Sequence, residues 1–105
     1  DKIIEQVWTK GEWLLKELNR VVATSKVPVT VNGIPPMPFL SFEKVDSFHK
    51  ERREMFYTET IRRGLFIQPY HHWYISARHT QADLEKAIWA ITQALELVNE
   101  KYPVK

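Results

Sequence analysis

The chain contains no cysteine. Disulfides, thiolate zinc sites and cysteine nucleophiles are therefore all excluded. Its three glycines, Gly11, Gly33 and Gly64, lie far apart, so no glycine-rich loop can cradle a phosphate. No apolar run approaches the roughly 20 residues needed to cross a bilayer as a helix, and no signal peptide is recognisable. The expectation is a cytoplasmic protein with no membrane partner. Neither sign of charge dominates. The 15 basic and 13 acidic residues are interleaved, which argues against nucleic acid as a partner. Apolar residues, at 44%, are abundant enough for a globular core. A length of 105 residues sets one domain over 1–105. The chain opens on Asp1 rather than Met, directly into an amphipathic pattern, and a piece of something longer is expected.

Helical periodicity predicts a first helix from Lys2 to about Ala23. Ile3, Ile4, Val7, Trp8, Gly11, Leu14, Leu15, Leu18, Val21 and Val22 share one face, and Trp13 points away from it. Val27, Val29 and Val31 alternate with Pro28 and Thr30, the period of a strand with one buried face; Pro28 places it at an edge. Asn32-Gly33 is a turn signal, and a long proline-rich connection then leads to a strand at Phe39-Leu40-Ser41-Phe42. Asp46 or Ser47 is expected to cap a second helix that ends at Arg63, with Gly64 beyond it. In that helix Lys50-Glu51-Arg52-Arg53-Glu54 reads as a solvated face. Leu65-Phe66-Ile67 and Trp73-Tyr74-Ile75-Ser76-Ala77 read as two more strands. Thr80 caps a last helix with Asp83 in its first turn; Leu84, Ala87, Ile88, Ile91, Ala94, Leu95, Val98 and Tyr102 share its apolar face, and Trp89 and Leu97 lie off it. The order α-β-β-α-β-β-α predicts an α+β two-layer sandwich, a small, mainly antiparallel sheet with helices on one face. The off-stripe Trp13, Trp89 and Leu97 suggest faces meant to touch something absent from this chain.

No self-sufficient active site emerges from the residues. A zinc site needs three or four ligands converging on a point, but His71 and His72 are adjacent and point opposite ways in an extended segment. Ser76 has His79 nearby but no nucleophile elbow. The expectation is no metal and no catalytic residue in this chain.

The stretch from Phe56 onward carries a resemblance. Phe56-Tyr57, Arg63-Gly64, Leu65-Phe66-Ile67, Pro69 and Tyr74-Ile75-Ser76-Ala77-Arg78-His79-Thr80 before Asp83-Leu84 are similar to the C-terminal end of class III pyridoxal-phosphate aminotransferases, nearest the glutamate-1-semialdehyde aminomutase branch. Gly11 with Leu14-Leu15, and Val31-Asn32-Gly33 leading to Phe39-Leu40-Ser41-Phe42, look like that family's first small-domain helix and hairpin. The resemblance covers this whole chain but only the last part of the family's chain. It implies the C-terminal small domain of a homodimeric enzyme, closing over the substrate pocket of a large domain that holds pyridoxal phosphate. That large domain carries the Schiff-base lysine and the phosphate-binding residues, so no cofactor-binding residue is expected here and this chain alone is expected to be inactive. His71, His72, Trp73, Ser76 and Arg78 are implied at the pocket edge, toward a small amine or keto substrate. Many class III transaminases place an arginine where Ser76 stands; the aminomutase branch has serine there. The turn Tyr70-His71-His72-Trp73 lacks the acidic residue of that branch, which points to a substrate other than glutamate semialdehyde.

Two readings compete. One is a free-standing α+β ligand- or partner-binding module without catalysis. The other is a sheet binding single-stranded nucleic acid through Phe39, Phe42, Trp73 and Tyr74, which requires strong salt dependence.

Overall fold

A computed structural model describes residues 2–34, 37–65 and 80–104. Five elements follow one another: α1 (Lys2–Thr24), β1 (Val29–Ile34), β2 (Met37–Phe42), α2 (His49–Arg62) and α3 (Gln81–Lys101). Three helices and a two-stranded antiparallel sheet make an α+β arrangement, as expected. The strands expected at 65–67 and 73–77 lie, apart from Leu65, outside the described residues.

The hairpin is tighter than the sequence suggests. Asn32-Gly33 is not its turn. Both residues lie inside β1, where Asn32 pairs with Phe39 and Gly33 with Pro38, and the last pair is Ile34 with Met37. Only residues 35–36 separate the strands, so the proline-rich connection is short rather than long. Gly33 has φ +97°, which glycine adopts without a Cβ penalty. Asn32 instead serves the outer face, where its side-chain amide donates to the Ser41 hydroxyl at 2.8 Å, a diagonal cross-strand contact. The Thr30 hydroxyl donates to the Glu43 carboxylate on the same side. On the inner face Val29 stands opposite Phe42 and Val31 opposite Leu40. Val29 and Leu40 are buried, Val31 and Phe42 pack against the core, and the helices cover this one face.

The helices that read most clearly as amphipathic meet in the middle of the molecule. α1 contributes Leu14, Leu18 and Val21; α3 contributes Leu84, Ile88, Ile91, Leu95 and Val98 at spacings of three and four. Ala90 and Ala94 are also buried and widen that face sideways, while Trp89 stays 51% exposed. Two features of α1 differ from expectation. Trp13 does not point away; it is half-buried and packed against the core, because the neighbouring elements wrap further round the helix than its apolar stripe. Ile3, Ile4 and Trp8 lie on the stripe yet are exposed, since burial begins only at Gly11.

α2 shows no apolar stripe in sequence because its buried side is partly polar. Phe56 and Tyr57 are buried alongside Arg52, Glu59 and Thr60, while Ile61 is exposed. The start of α2 also differs. Phe48 is the N-cap residue and supplies no side-chain hydrogen bond. Asp46 acts two residues earlier, accepting from the Phe48 amide at 2.8 Å, a local Asx turn ahead of the helix.

Candidate functional site

The segment singled out by the sequence leaves α2 at Gly64 and enters α3 at Thr80. His71, His72, Trp73, Ser76 and Arg78 all lie outside the described residues; the structure describes the two anchors of the segment.

The exit is a complete Schellman motif. The Gly64 amide bonds to the Ile61 carbonyl at 2.9 Å and the Leu65 amide to the Thr60 carbonyl at 2.9 Å, and Gly64 takes φ +84°, the left-handed C′ position glycine favours. Leu65 then packs against the core, the apolar contact that accompanies the motif. A Cβ at Gly64 would meet the Lys86 amine at 3.7 Å, an ordinary contact, so a substitution there is penalised by backbone conformation alone. Gly64→Ala is expected to lower stability by about 1–2 kcal/mol, read as a fall in the urea midpoint with an unchanged slope.

Glu59 ties down the same turn. It is 8% exposed. Its carboxylate accepts from Arg63 at 2.8 Å and from Arg62 at 3.0 Å, while Arg63 also donates to the Glu59 carbonyl at 3.0 Å. The pair to Arg62, whose side chain is 69% exposed, adds little; the pair to the half-buried Arg63 fixes the direction in which the chain leaves the helix.

The entry is a capping box. The Thr80 hydroxyl accepts from the Asp83 amide at 3.1 Å, and the Asp83 carboxylate accepts from the Thr80 amide at 2.8 Å. Two orphan donors are thereby satisfied reciprocally. Thr80→Ala should cost about 1 kcal/mol, checked by thermal unfolding against Thr80→Ser, which keeps the cap. Since Gly64 lies beside Lys86, exit and entry sit at the same end of the α2–α3 pair.

The opposite end is held by a side chain that the sequence reading assigned to solvent. Arg52 is 0% exposed, so Lys50-Glu51-Arg52-Arg53-Glu54 is not a uniformly solvated face. Its guanidinium grips Asp46 with two bonds, Nη1 to Oδ1 at 2.8 Å and Nη2 to Oδ2 at 2.6 Å, while Nε donates to the Tyr102 carbonyl at 2.8 Å. That carbonyl belongs to the C-cap of α3. One planar fork therefore joins the loop before α2 to the end of α3, a geometry arginine supplies and lysine cannot. The Phe48 and Tyr102 rings, with centroids 5.5 Å apart, cover the same junction. The Asp46 carboxyl is held below the usual aspartate range, first by the Arg52 hydrogen bond and then by the Phe48 amide, with burial opposing them. A signal for this clamp existed: Arg52 stands one helical turn before Phe56 and two before Thr60, on the buried meridian.

The charged groups described so far have structural partners. Among the described residues no three His, Cys, Asp or Glu gather to hold a metal ion, and no helix is long and apolar enough to cross a membrane. The described lysines are exposed, or half-buried in the case of Lys10.

No family model matches the chain. It is 41% identical over 101 residues to 3-aminobutyryl-CoA aminotransferase of Cloacimonas acidaminovorans, covering 95% of this chain and 24% of that one. It is 31% identical over 98 residues to glutamate-1-semialdehyde 2,1-aminomutase 1 of Staphylococcus epidermidis, covering 84% of this chain and 23% of the other. Among solved structures, the pyridoxal-phosphate internal aldimine form of the FumI protein of Sphingopyxis sp. MTA144 superposes with a TM-score of 0.82 at 20% identity, over 97% of this chain and 24% of that chain. An omega-transaminase from Sphaerobacter thermophilus gives a TM-score of 0.80 at 17% identity, over 90% of this chain and 24% of that chain. The two superpositions establish a shared fold. The chain spans about a quarter of the length of the relatives it matches.

Proposed function

Because this chain matches the C-terminal part of class III pyridoxal-phosphate-dependent aminotransferases and aminomutases, we propose that it is the small domain of such an enzyme and closes over the substrate pocket of a large domain. The observation that carries this reading is the match itself, which takes in 95% of this chain at 41% identity and stays within 24% of the relative.

In this reading the cofactor is held elsewhere in the parent enzyme and supplies an electron sink when bound. This chain's part is to position a small amine or keto substrate and exclude water from it. The Schellman exit at Gly64 and the capping box at Thr80 give the intervening segment two rigid ends, which is what a precisely shaped pocket edge needs. His71, His72, Trp73, Ser76 and Arg78 are proposed to line that edge. The parent is proposed to be a cytoplasmic homodimer. The higher identity to an aminotransferase than to the aminomutase favours transfer between two molecules, and 3-aminobutyryl-CoA, whose reacting end is a small amine carried on a larger thioester, is the donor to assay first.

The test uses the complete gene product. It should be a longer polypeptide with a visible absorbance band of bound pyridoxal phosphate that an amino donor bleaches. Residues 1–105 alone should show no such band. A stoichiometric band on residues 1–105 alone, or none on the complete protein, would overturn the proposal. His72→Ala should raise KM for the donor more than it lowers kcat if that residue contacts substrate.

A further inference from the structure

Asn32-Gly33 is a turn signal that the fold does not use as a turn, and asparagine before glycine is also a reactive pair. With no Cβ on the following residue, the Gly33 backbone nitrogen is unhindered and can attack the Asn32 side-chain carbonyl carbon. A bond forms from that nitrogen to Cγ, the Cγ–Nδ2 bond breaks, and the nitrogen's proton leaves with the side-chain amide as ammonia. Water then opens the resulting succinimide at either carbonyl. The product is aspartate, or isoaspartate with the backbone rerouted through the side chain. No oxidant, cofactor or enzyme is needed.

Backbone conformation decides whether this happens. Ring closure needs the Asn32 Cβ and the Gly33 nitrogen eclipsed about the Cα–C bond, and the extended backbone of a strand, with ψ about +135°, turns them well apart. Both residues lie inside β1. The Glu43 amide donates to the Pro28 carbonyl at 2.9 Å. Counting along the register from there, alternation makes Asn32 and Phe39 a hydrogen-bonded pair and Gly33 and Pro38 a non-bonded one, which suits a proline without an N–H. The Asn32 carbonyl therefore accepts from the Phe39 amide, and turning ψ toward ring closure breaks that bond. The Asn32 side chain is held as well, by its 2.8 Å bond to the Ser41 hydroxyl. Gly33 is exposed and its N–H points away from β2, so water reaches the pair and the attacking nitrogen is not committed to the hairpin.

We infer that Asn32-Gly33 is a conformation-gated modification site: it stays asparagine while β1 and β2 are paired, and converts by itself to aspartate and isoaspartate when the hairpin opens. The change is one-way. Isoaspartate adds an atom to the backbone of β1 and shifts every residue beyond it against β2, and strand register is what puts Val29 and Val31 on the buried face. A two-stranded sheet holds little stability without its covering helix, so loss of that cover is recorded at Asn32 and the hairpin does not re-form as it was. The inference is independent of the proposed enzyme class.

The test follows the complete gene product over time in mildly alkaline buffer. Trypsin cuts after Lys26 and Lys44, so peptide 27–44 carries the site alone. Mass spectrometry reads the gain in mass when its amide becomes an acid, and chromatography separates isoaspartate from aspartate. The same peptide, isolated and incubated in parallel, gives the ungated rate. The intact protein should convert about tenfold or more slowly than the peptide, because only locally opened molecules react. Ser41→Ala, which removes the tether on the outer face, should raise the intact protein's rate severalfold. Phe56→Ala, which empties the site under the inner face, should bring it close to that of the peptide. Equal rates in intact protein and peptide overturn the gate. A peptide that does not convert overturns the site itself. Rates unchanged in both variants overturn the hairpin as what holds the site closed.

Discussion

Phe56→Ala is expected to destabilise the fold by about 3–5 kcal/mol, the range for emptying a fully buried phenylalanine site. Phe56 is 0% exposed. Its ring sits 5.3 Å from that of Phe42 on β2 and 5.1 Å, edge-on, from that of Tyr57. It is therefore the wedge between α2 and the inner face of the hairpin. Removing it leaves a cavity bounded by a two-stranded sheet, and such a sheet has little stability of its own without a covering helix. The surrounding atoms can relax only partly, so the lost contacts are not recovered. Urea unfolding measures the effect as a fall in midpoint. Phe56→Leu should recover much of the loss by refilling the volume. A shift below about 1 kcal/mol for Phe56→Ala would show that the site is not the packed centre described above.

Arg52→Ala is the second large effect, about 3 kcal/mol, near the lower end of the range for breaking a buried ion pair. The lower end applies because the partner left behind, Asp46, keeps 31% of its side chain in water and can rehydrate. The Tyr102 carbonyl loses its donor at the same time, so the end of α3 should fray. Hydrogen exchange at the last turn of α3 should rise more than at its first turn. Arg52→Lys should rescue little, because an ammonium cannot bond both Asp46 oxygens and the carbonyl together. The clamp also predicts a pH dependence. The folded-state pKa of Asp46 is depressed, so the unfolded chain takes up the proton more readily. The contribution of Asp46 is fully present above the ordinary aspartate pKa of about 3.9, and it is lost as pH falls from there through the lowered folded value. Asp46→Asn should flatten that acid limb of the stability profile, and Arg52→Ala should shrink it. An unaltered acid limb in both variants would refute the clamp as its source.

These two residues illustrate what sequence reading reaches. Phe56 was visible as an apolar residue on a helix, but nothing local ranked it above Met55 or Ile61; Ile61 turns out to be exposed. Arg52 was misread. A charge inside Lys50-Glu51-Arg52-Arg53-Glu54 looks solvated because its two acceptors come from elsewhere, Asp46 before the helix and the Tyr102 carbonyl fifty residues on. The Asn32-Gly33 signal failed for a related reason. Its turn propensity is real, but β-pairing across to Phe39 and Pro38 outweighed it, and the chain reverses two residues later.

The sequence alone determined whatever depends on neighbours within a few positions. The faces of α1 and α3 follow from spacings of three and four, the inner face of the hairpin follows from alternation, and Gly64 and Thr80 mark a helix end and a helix start through backbone conformation and a hydroxyl. The resemblance carried by Arg63-Gly64 and Ser76-Ala77-Arg78-His79-Thr80 likewise needed only residue order. Tertiary structure decided how much of each face is covered. Burial is a property of what lies opposite, so the same periodic stripe is core at Leu18 and surface at Ile4, Trp13 is drawn into the core from outside its stripe, and an arginine becomes an interior residue once a carboxylate and a helix end converge on it.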